Sequence, residues 1–473
     1  MIGHDPTRTY RAAVIGSGSG GLTVAIGLAT MGHDVVMIEG HRIGGDCTNV
    51  GCIPSKSLLH AAAVGHDNPL EWARARRDRL FHEEDELIEH YPNIHLVRGW
   101  ATLTSQRDPH VVSVSTPDGT TTTVRAHNVV ISGGSRPATI DIPGLDPSLL
   151  VTNEDLFELP SPPTSLVIVG GGAIAIEAAT AFAAASTRVE IVELQPRLLS
   201  TEDPVITDTI EAALRAQGVG LHLGTTIEGA DEATGALQLA DGSKIDAPER
   251  VLMAIGRRPN TERLGLDRAG VTTTRGGIDV DNWGRTSVDH IWAVGDVTGT
   301  SFTTHAAGAL GRRVVRAIAF PYAPKIARHR AVPSAVYGNP EVASVGLSLD
   351  ELARWDEAGR MRIVVRYDEV DRGFTDDVTH GALVLDVQRF NGKILRAAIV
   401  GPSAADLIGM LTIAIDNGIG LRRLFTMVHP YPSHAEVIRE AADRFAAATL
   451  TDLPRQLGAA AASRVRRTFR RSR

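Results

Sequence analysis

An α/β protein carrying two Rossmann-like dinucleotide-binding units is the fold class this sequence predicts, and three observations predict it. The stretch RAAVIGSGSGGLTVAIGLATMGHDVVMIE, from Arg11 to Glu39, recurs as SLVIVGGGAIAIEAATAFAAASTRVEIVE, from Ser165 to Glu193. Gly16, Gly18, Gly21 and Glu39 map onto Gly170, Gly172, Ala175 and Glu193, each 154 residues further on. Each copy reads as an apolar strand, a glycine turn, a small-residue helix and a second apolar strand ending in glutamate. That context makes G-x-G-x-x-G/A a specific signal rather than a chance match.

Each position has a physical task. The first glycine permits the tight turn, and the second lets the backbone approach a pyrophosphate. The third position must be small so that helix and strand pack closely. The helix N-terminus offers unpaired N–H groups and partial positive charge to phosphates, and the closing carboxylate can accept both ribose hydroxyls. Two complete copies predict two bound dinucleotides.

Both cysteines of the chain, Cys47 and Cys52, lie in GGDCTNVGCIPSK (Gly44 to Lys56), soon after the first copy. A structural staple is a poor explanation. With 473 residues, 43% of them hydrophobic, the chain can build two or three cores without covalent help. No signal peptide or membrane span is evident, since the apolar stretches are cut by glycine and by Glu177. The expected location is cytoplasmic, where a close cysteine pair is more often redox-catalytic or metal-binding. A zinc site would need a second ligand pair, which is missing, so no metal site is expected. One nucleotide delivers hydride, and converting it into dithiol electrons calls for a flavin, because an unaided side chain cannot do it.

These residues resemble the flavoprotein disulfide reductases with a C-x-x-x-x-C motif, the group of dihydrolipoamide dehydrogenase, glutathione reductase and mercuric reductase. AIGRRPN (Ala254 to Asn260), WAVGDVTG (Trp292 to Gly299), AVYGNPEVASVG (Ala335 to Gly346) and HPYPSHAEVIREAA extend the resemblance to about Phe445. It implies FAD and NADH, with NADPH the less favoured alternative because Glu193 ends the strand where a 2′-phosphate would lie, although Arg197 could offset part of that charge. It implies Cys52 as the flavin-side thiol, Cys47 as the interchange thiol, and Lys56 with Glu177 as an ion pair beside the flavin. Glu39 and Asp296 are the implied FAD ligands, with Gly134 and Gly256 as further candidate cofactor contacts. Pro54 is tolerated in the first turn of a helix starting near the thiols, and that N-terminus and Lys56 would lower a thiol pKa.

The expected domains are an FAD-binding domain in two parts (1–150 and 264–328), an inserted NAD(P)-binding domain (151–263) opened by the linker ELPSPPTS, and an α+β dimerisation domain (329–450) with strands such as MRIVVRY and GALVLDV. Residues 451–473 are expected to form a disordered basic tail, the competing use of its arginines being a nucleic-acid or membrane patch. The net charge of −7 gives no global reason to expect nucleic acid.

The resemblance also implies a homodimer in which the C-terminal segment serves the partner's thiols. Where dihydrolipoamide dehydrogenases and glutathione reductases place a histidine five residues before a glutamate, here Tyr431 precedes Glu436, as in mercuric reductases. His429 and His434 are out of register, and either could swing in instead. The C-terminal cysteine pair of mercuric reductase is missing, as is the C-terminal redox centre of large thioredoxin reductases, because no cysteine follows Cys52. GGDC, where the family more often has GGTC, and ISGGSRP are further departures. Three functions stay open: a mercuric-reductase-like oxidoreductase acting on a disulfide, metal ion or quinone; a dihydrolipoyl dehydrogenase; and a slow-cycling redox sensor or binding protein.

Overall fold

The computed structural model describes residues 5–323 and 331–449, so the arginine-rich tail lies outside the described residues. Two compact units divide them. One contains the chain up to Val192 and again from Thr225, and the other contains Glu193–Gly224 and everything from residue 331 on.

In the first unit, the repeat folds twice into the same motif. Strand β1 (Thr9–Ile15), helix α1 (Ser19–Thr30) and strand β2 (Val35–Glu39) form the first copy. Helix α2 (Gly45–Asn49), helix α3 (Cys52–Ala63) and helix α4 (Pro69–Glu89) follow it. Strands β3 (Ile94–Arg98), β4 (Trp100–Leu103), β5 (His110–Ser115) and β6 (Thr121–Ile131) complete the sheet in the order β3-β2-β1-β6-β5-β4, with Ile291–Ala293 parallel to β6. The inner strands β1 and β2 are apolar almost throughout because both faces of a parallel sheet are covered. One face packs against Val24, Leu28 and Val315, and the other against Val112, Val124 and Leu266.

Strand β7 (Ser135–Pro137), strand β8 (Leu150–Val151) and helix α5 (Asn153–Leu156) lead into the second copy. That copy is strand β9 (Ser165–Val169), helix α6 (Ala173–Ala184) and strand β10 (Arg188–Glu193). Its pairing register repeats the first: Ala12 faces Val35 and Ile15 faces Ile38, while Leu166 faces Val189 and Val169 faces Val192. The chain leaves this motif through Arg250–Met253, parallel to β9, and through Arg257–Pro259, which pairs antiparallel with β7.

The second unit is built on an antiparallel sheet in the order Ser334–Val336, Val342–Gly346, Ile394–Val400, Ala382–Gln388, Arg360–Arg366. The helix Ala404–Asp416 covers it, and Tyr367, Leu385, Ile399, Leu411 and Phe445 fill the core between them. The strands expected at MRIVVRY and GALVLDV are two of these five.

Candidate active site

The two glycine turns have the shape a pyrophosphate needs. Gly16 sits at φ +96°, and a Cβ there would lie 2.4 Å from the Ser132 carbonyl oxygen; Gly170 sits at φ +111°, with the Ala254 carbonyl at 2.5 Å. Side chains are excluded at both for conformational and steric reasons. A Cβ on Gly21 would stand 2.1 Å from the Gly16 oxygen, and Ala175 is fully buried, so both third positions are close contacts. Gly18 and Gly172 cap α1 and α6 with no side-chain hydrogen bond and no acid in the first turn, which leaves first-turn N–H groups without a side-chain acceptor. Nothing would obstruct a Cβ on Gly134, Gly172 or Gly256, so a ligand has room there. The residues therefore fit FAD at the first turn and a nicotinamide nucleotide at the second.

The acidic candidates occupy defined places. Glu39 is buried: Oε2 accepts from the Ser17 N–H (2.8 Å) and hydroxyl (2.7 Å), and Oε1 from the His41 N–H (2.7 Å). Asp296 accepts from the Ser135 hydroxyl at 2.6 Å and lies 3.8 Å from Arg257 Nε. Glu193 ends β10 and accepts the Gln195 N–H at 2.6 Å. Arg197 is engaged by Asp208 and by Thr207 Oγ1 (3.1 Å).

The dithiol loop rests on the first glycine turn. The Gly44 N–H donates to the Ser17 carbonyl at 3.1 Å, and Gly44 forms a parallel bridge with Gly18. Cys47 then lies in α2, and Cys52 opens α3 with Pro54 in its first turn. The thiols are not bonded to one another. A hydrogen bond from Cys47 pulls the Cys52 thiol down to about 6 against the opposing effect of burial, with Thr304 and Lys56 acting in the same lowering direction. The same hydrogen bond, with burial second, pushes the Cys47 thiol up. Thr304 Oγ1 is 3.5 Å from Cys52 Sγ, at the start of the helix Thr304–Ala319. Four residues past Cys52 in α3, Lys56 Nζ donates to both Glu177 oxygens, at 2.8 and 2.7 Å, and the Ser55 hydroxyl donates to Oε2 at 3.1 Å. Lys56 and Glu177, read from two separate motifs, are thus one ion pair.

Sequence reasoning missed Thr304 and Arg257. Arg257 bonds Asp46, the Ser135 hydroxyl (2.6 Å) and carbonyl (3.0 Å), and Asn153 Oδ1 (3.4 Å). AIGRRPN marked the segment, but nothing in it signals which residue the guanidinium meets.

Tyr431 and Glu436 belong to the second unit, and there they have different partners. The Tyr431 hydroxyl is largely exposed and donates to Asp371 Oδ2 at 2.8 Å, and that bond raises its pKa. Glu436, 1% exposed, accepts the Arg372 N–H at 3.2 Å and lies 3.8 Å from Arg439. His434 Nε2 lies 3.2 Å from Asp376, and His429 Nε2 lies 3.4 Å from the Leu424 carbonyl. Among the described residues, no group of three or more His, Cys, Asp or Glu is placed to hold a metal ion, and no helix is long and apolar enough to cross a membrane.

Residues 10–311 match the pyridine nucleotide-disulphide oxidoreductase family, and residues 332–442 match the dimerisation domain of that family. The chain is 33% identical to a mercuric reductase of Streptomyces lividans over 458 residues, covering 92% of this chain and 96% of the relative. It is also 33% identical to a dihydrolipoyl dehydrogenase of Chlorobaculum parvum, again over 92% and 96% of the two chains. Among solved structures, the HOCl-induced flavoprotein disulfide reductase RclA of Escherichia coli, as its Cu(II) complex, superposes with a TM-score of 0.84 at 27% identity, covering 92% of this chain and 99% of RclA.

Proposed function

This chain belongs to the pyridine nucleotide-disulphide oxidoreductases, and from that premise we propose that it passes electrons from NADH to a metal-ion, quinone or disulfide acceptor in the manner of a mercuric reductase. It is an FAD- and NAD(P)H-dependent enzyme. Gly16, Gly18, Gly21, Glu39 and Asp296 would hold FAD, which would supply the conversion of a two-electron hydride into dithiol electrons.

The chain's own residues supply the rest. Cys52 holds the thiolate, supported by Cys47, Thr304 and Lys56. Cys47 keeps the proton and is the thiol that meets the acceptor. One mercuric ion bound by both sulfurs takes two electrons, or two cupric ions take one each, as the pair closes to a disulfide and the Cys47 proton leaves to solvent. A substrate disulfide takes two electrons, the Cys47 proton and one proton from solvent to become two thiols. The lysine of the Lys56–Glu177 pair keeps a positive charge beside the redox loop. Metal-ion acceptors are also supported by the mercuric reductase relative and by the Cu(II) complex of RclA. NADH is favoured over NADPH because Glu193 ends its strand and Arg197 is held by Asp208. At ~5 Å and an effective dielectric near 20, a like charge costs roughly 3 kcal/mol. The dimerisation domain supports a homodimer. We assign FAD binding to 1–150 and 264–328, nicotinamide binding to 151–263 and subunit pairing to 329–450.

The observation that supports the acceptor class is the Tyr431 hydroxyl tied to Asp371, at the residue that the count back from Glu436 assigns to the acid–base position. A phenol with its pKa raised is a poor proton acceptor near neutral pH. Substrates that need thiol proton transfer should therefore turn over slowly, and metal ions and quinones should not suffer. Assays with NADH against mercuric ion, cupric ion, a quinone and lipoamide test this. Wild type should be slow only on lipoamide, and Tyr431→His should raise that rate by ~10-fold or more. Efficient lipoamide turnover lost in His434→Ala would support the dihydrolipoyl dehydrogenase reading instead, and lack of steady-state turnover with every acceptor would support the sensor.

A further inference from the structure

The dithiol loop is pinned at every second residue between Gly45 and Gly51, and each pin comes from a different part of the chain. The Asp46 carboxylate is bonded to Arg257, which lies in the strand leaving the nicotinamide motif. The Thr48 hydroxyl donates to Glu84 Oε1 of α4 at 3.1 Å. The Val50 carbonyl accepts from Asn153 Nδ2 of α5 at 3.0 Å. Two pins are themselves joined, since Arg257 Nη1 donates to Asn153 Oδ1 at 3.4 Å. The anchors are held in turn: Arg257 is bonded to both the hydroxyl and the carbonyl of Ser135, and Asn153 and Ser135 are buried.

We infer that Asp46, Arg257 and Asn153 form a clamp that positions the Cys47–Cys52 loop for ring closure and thereby sets the reduction potential of the pair. The inference rests on the reading of these cysteines as the redox centre. The ring-closed disulfide already restricts the loop, whereas the dithiol depends on these contacts together with the local bonds of Asn49 to the Ile43 and Gly45 carbonyls. Loosening them adds conformations to the dithiol and few to the disulfide, so the disulfide loses ground and the potential becomes more positive. Asp46 and Asn153 act as positioning residues, because their bonds go to other anchors and to backbone rather than to either sulfur.

The test uses holoenzyme equilibrated with buffers of dithiothreitol and its cyclic oxidised form. Ring closure takes two electrons and two protons from Cys47 and Cys52, and the disulfide bond of oxidised dithiothreitol breaks to receive them as two thiols. After quenching with a thiol-alkylating reagent, intact mass gives the fraction closed without ambiguity, as the chain has no other cysteine.

Asp46→Ala and Asn153→Ala should each lower the closing equilibrium roughly tenfold, a shift of about 30 mV to more positive potential for a two-electron couple. Asp46→Asn keeps an oxygen for Arg257 without the charge and should stay within about twofold of wild type. A potential unchanged in either alanine variant overturns the clamp. A shift in Asp46→Asn as large as in Asp46→Ala also overturns it, because charge rather than positioning would then be responsible. Failure of wild type to show a reversible two-electron couple would refute the redox reading itself, which is a different result from a normal couple that ignores the anchors.

Discussion

The proton shared by Cys47 and Cys52 rests on Cys47, because the groups around Cys52 favour its anion. Cys47 donates to it, Thr304 lies at 3.5 Å and Lys56 adds positive charge, together outweighing burial. The reduced pair should therefore lose its first proton near pH 6, a value that belongs to the two thiols jointly. A long-wavelength charge-transfer band between the Cys52 thiolate and oxidised flavin reports this, most simply in Cys47→Ser, where Cys52 cannot be locked in a disulfide. Cys47→Ala, which removes the donor altogether, should titrate above wild type, and Lys56→Met added to it should raise the value again. Cys52→Ser should show no band at any pH. The sign for stability follows: a thiol pKa lowered in the fold stabilises the reduced protein above the ordinary thiol range, and that contribution disappears as pH falls through about 6. A band of constant intensity from pH 5 to 9 in wild type would contradict the assignment. At this scale the cysteines, Lys56 and Glu177 were legible because their motifs are short and local. Thr304 was not, because it meets Cys52 across 252 residues and its own neighbours carry no spacing that points there.

Between residues and the whole chain, elements show which kinds of order a sequence carries. The two nucleotide motifs were legible to the register of their strands, because period, glycine turn and terminal glutamate are all local features, and the structure repeats the pairing at the same offset. The segment Glu193–Gly224 shows the opposite case. It follows the second motif directly, yet it belongs to the compact unit of the C-terminal sheet through buried charge. Asp203 accepts from Arg362 Nη1 and Nη2 at 2.6 and 2.7 Å, and Glu202 is bonded to Arg396 and to the Ser344 hydroxyl at 2.6 Å. Such pairs are invisible in a sequence because any acid could meet any arginine. Asp203 also caps the helix Pro204–Ala216, accepting the Val205 N–H at 2.9 Å. Asp203→Ala removes the cap, worth about 1 kcal/mol, and leaves Arg362 with the more distant Asp386 as its counter-charge. Breaking a buried pair costs ~3–5 kcal/mol, but the Arg362 side chain is 41% exposed, so water recovers part of that cost. The expected total is about 2–3 kcal/mol, read as a lower urea midpoint. Asp203→Asn, which can still cap, should lose less; equal losses would show that the cap contributes nothing.

At the scale of the whole molecule, the C-terminal unit exposes apolar side chains that a monomer has no use for. Met410, Ile413, Phe425, Met427 and Val428 are all open to solvent in the single chain, and Val428 is 99% exposed. They lie within or beside the matched dimerisation domain, and Tyr431 follows them directly. The family resemblance could locate this domain but not its exposed face, because an apolar residue covered by a partner subunit reads like one covered by its own core. If Tyr431 of one subunit serves the dithiol of the other, a mixed dimer can separate the two. One chain carries Cys52→Ser together with Tyr431→His, and its partner is wild type. Across the interface, the substituted position 431 then faces an intact Cys47–Cys52 pair, and lipoamide reduction should rise above wild type. Within the doubly substituted chain the dithiol is dead, so a residue serving its own subunit would give no gain. Tagging the two chains differently and purifying through both tags isolates the mixed species, which should elute as a dimer at micromolar concentration. An active monomer, or a mixed dimer no faster than wild type while the Tyr431→His homodimer is faster, would place the acid–base segment in its own subunit.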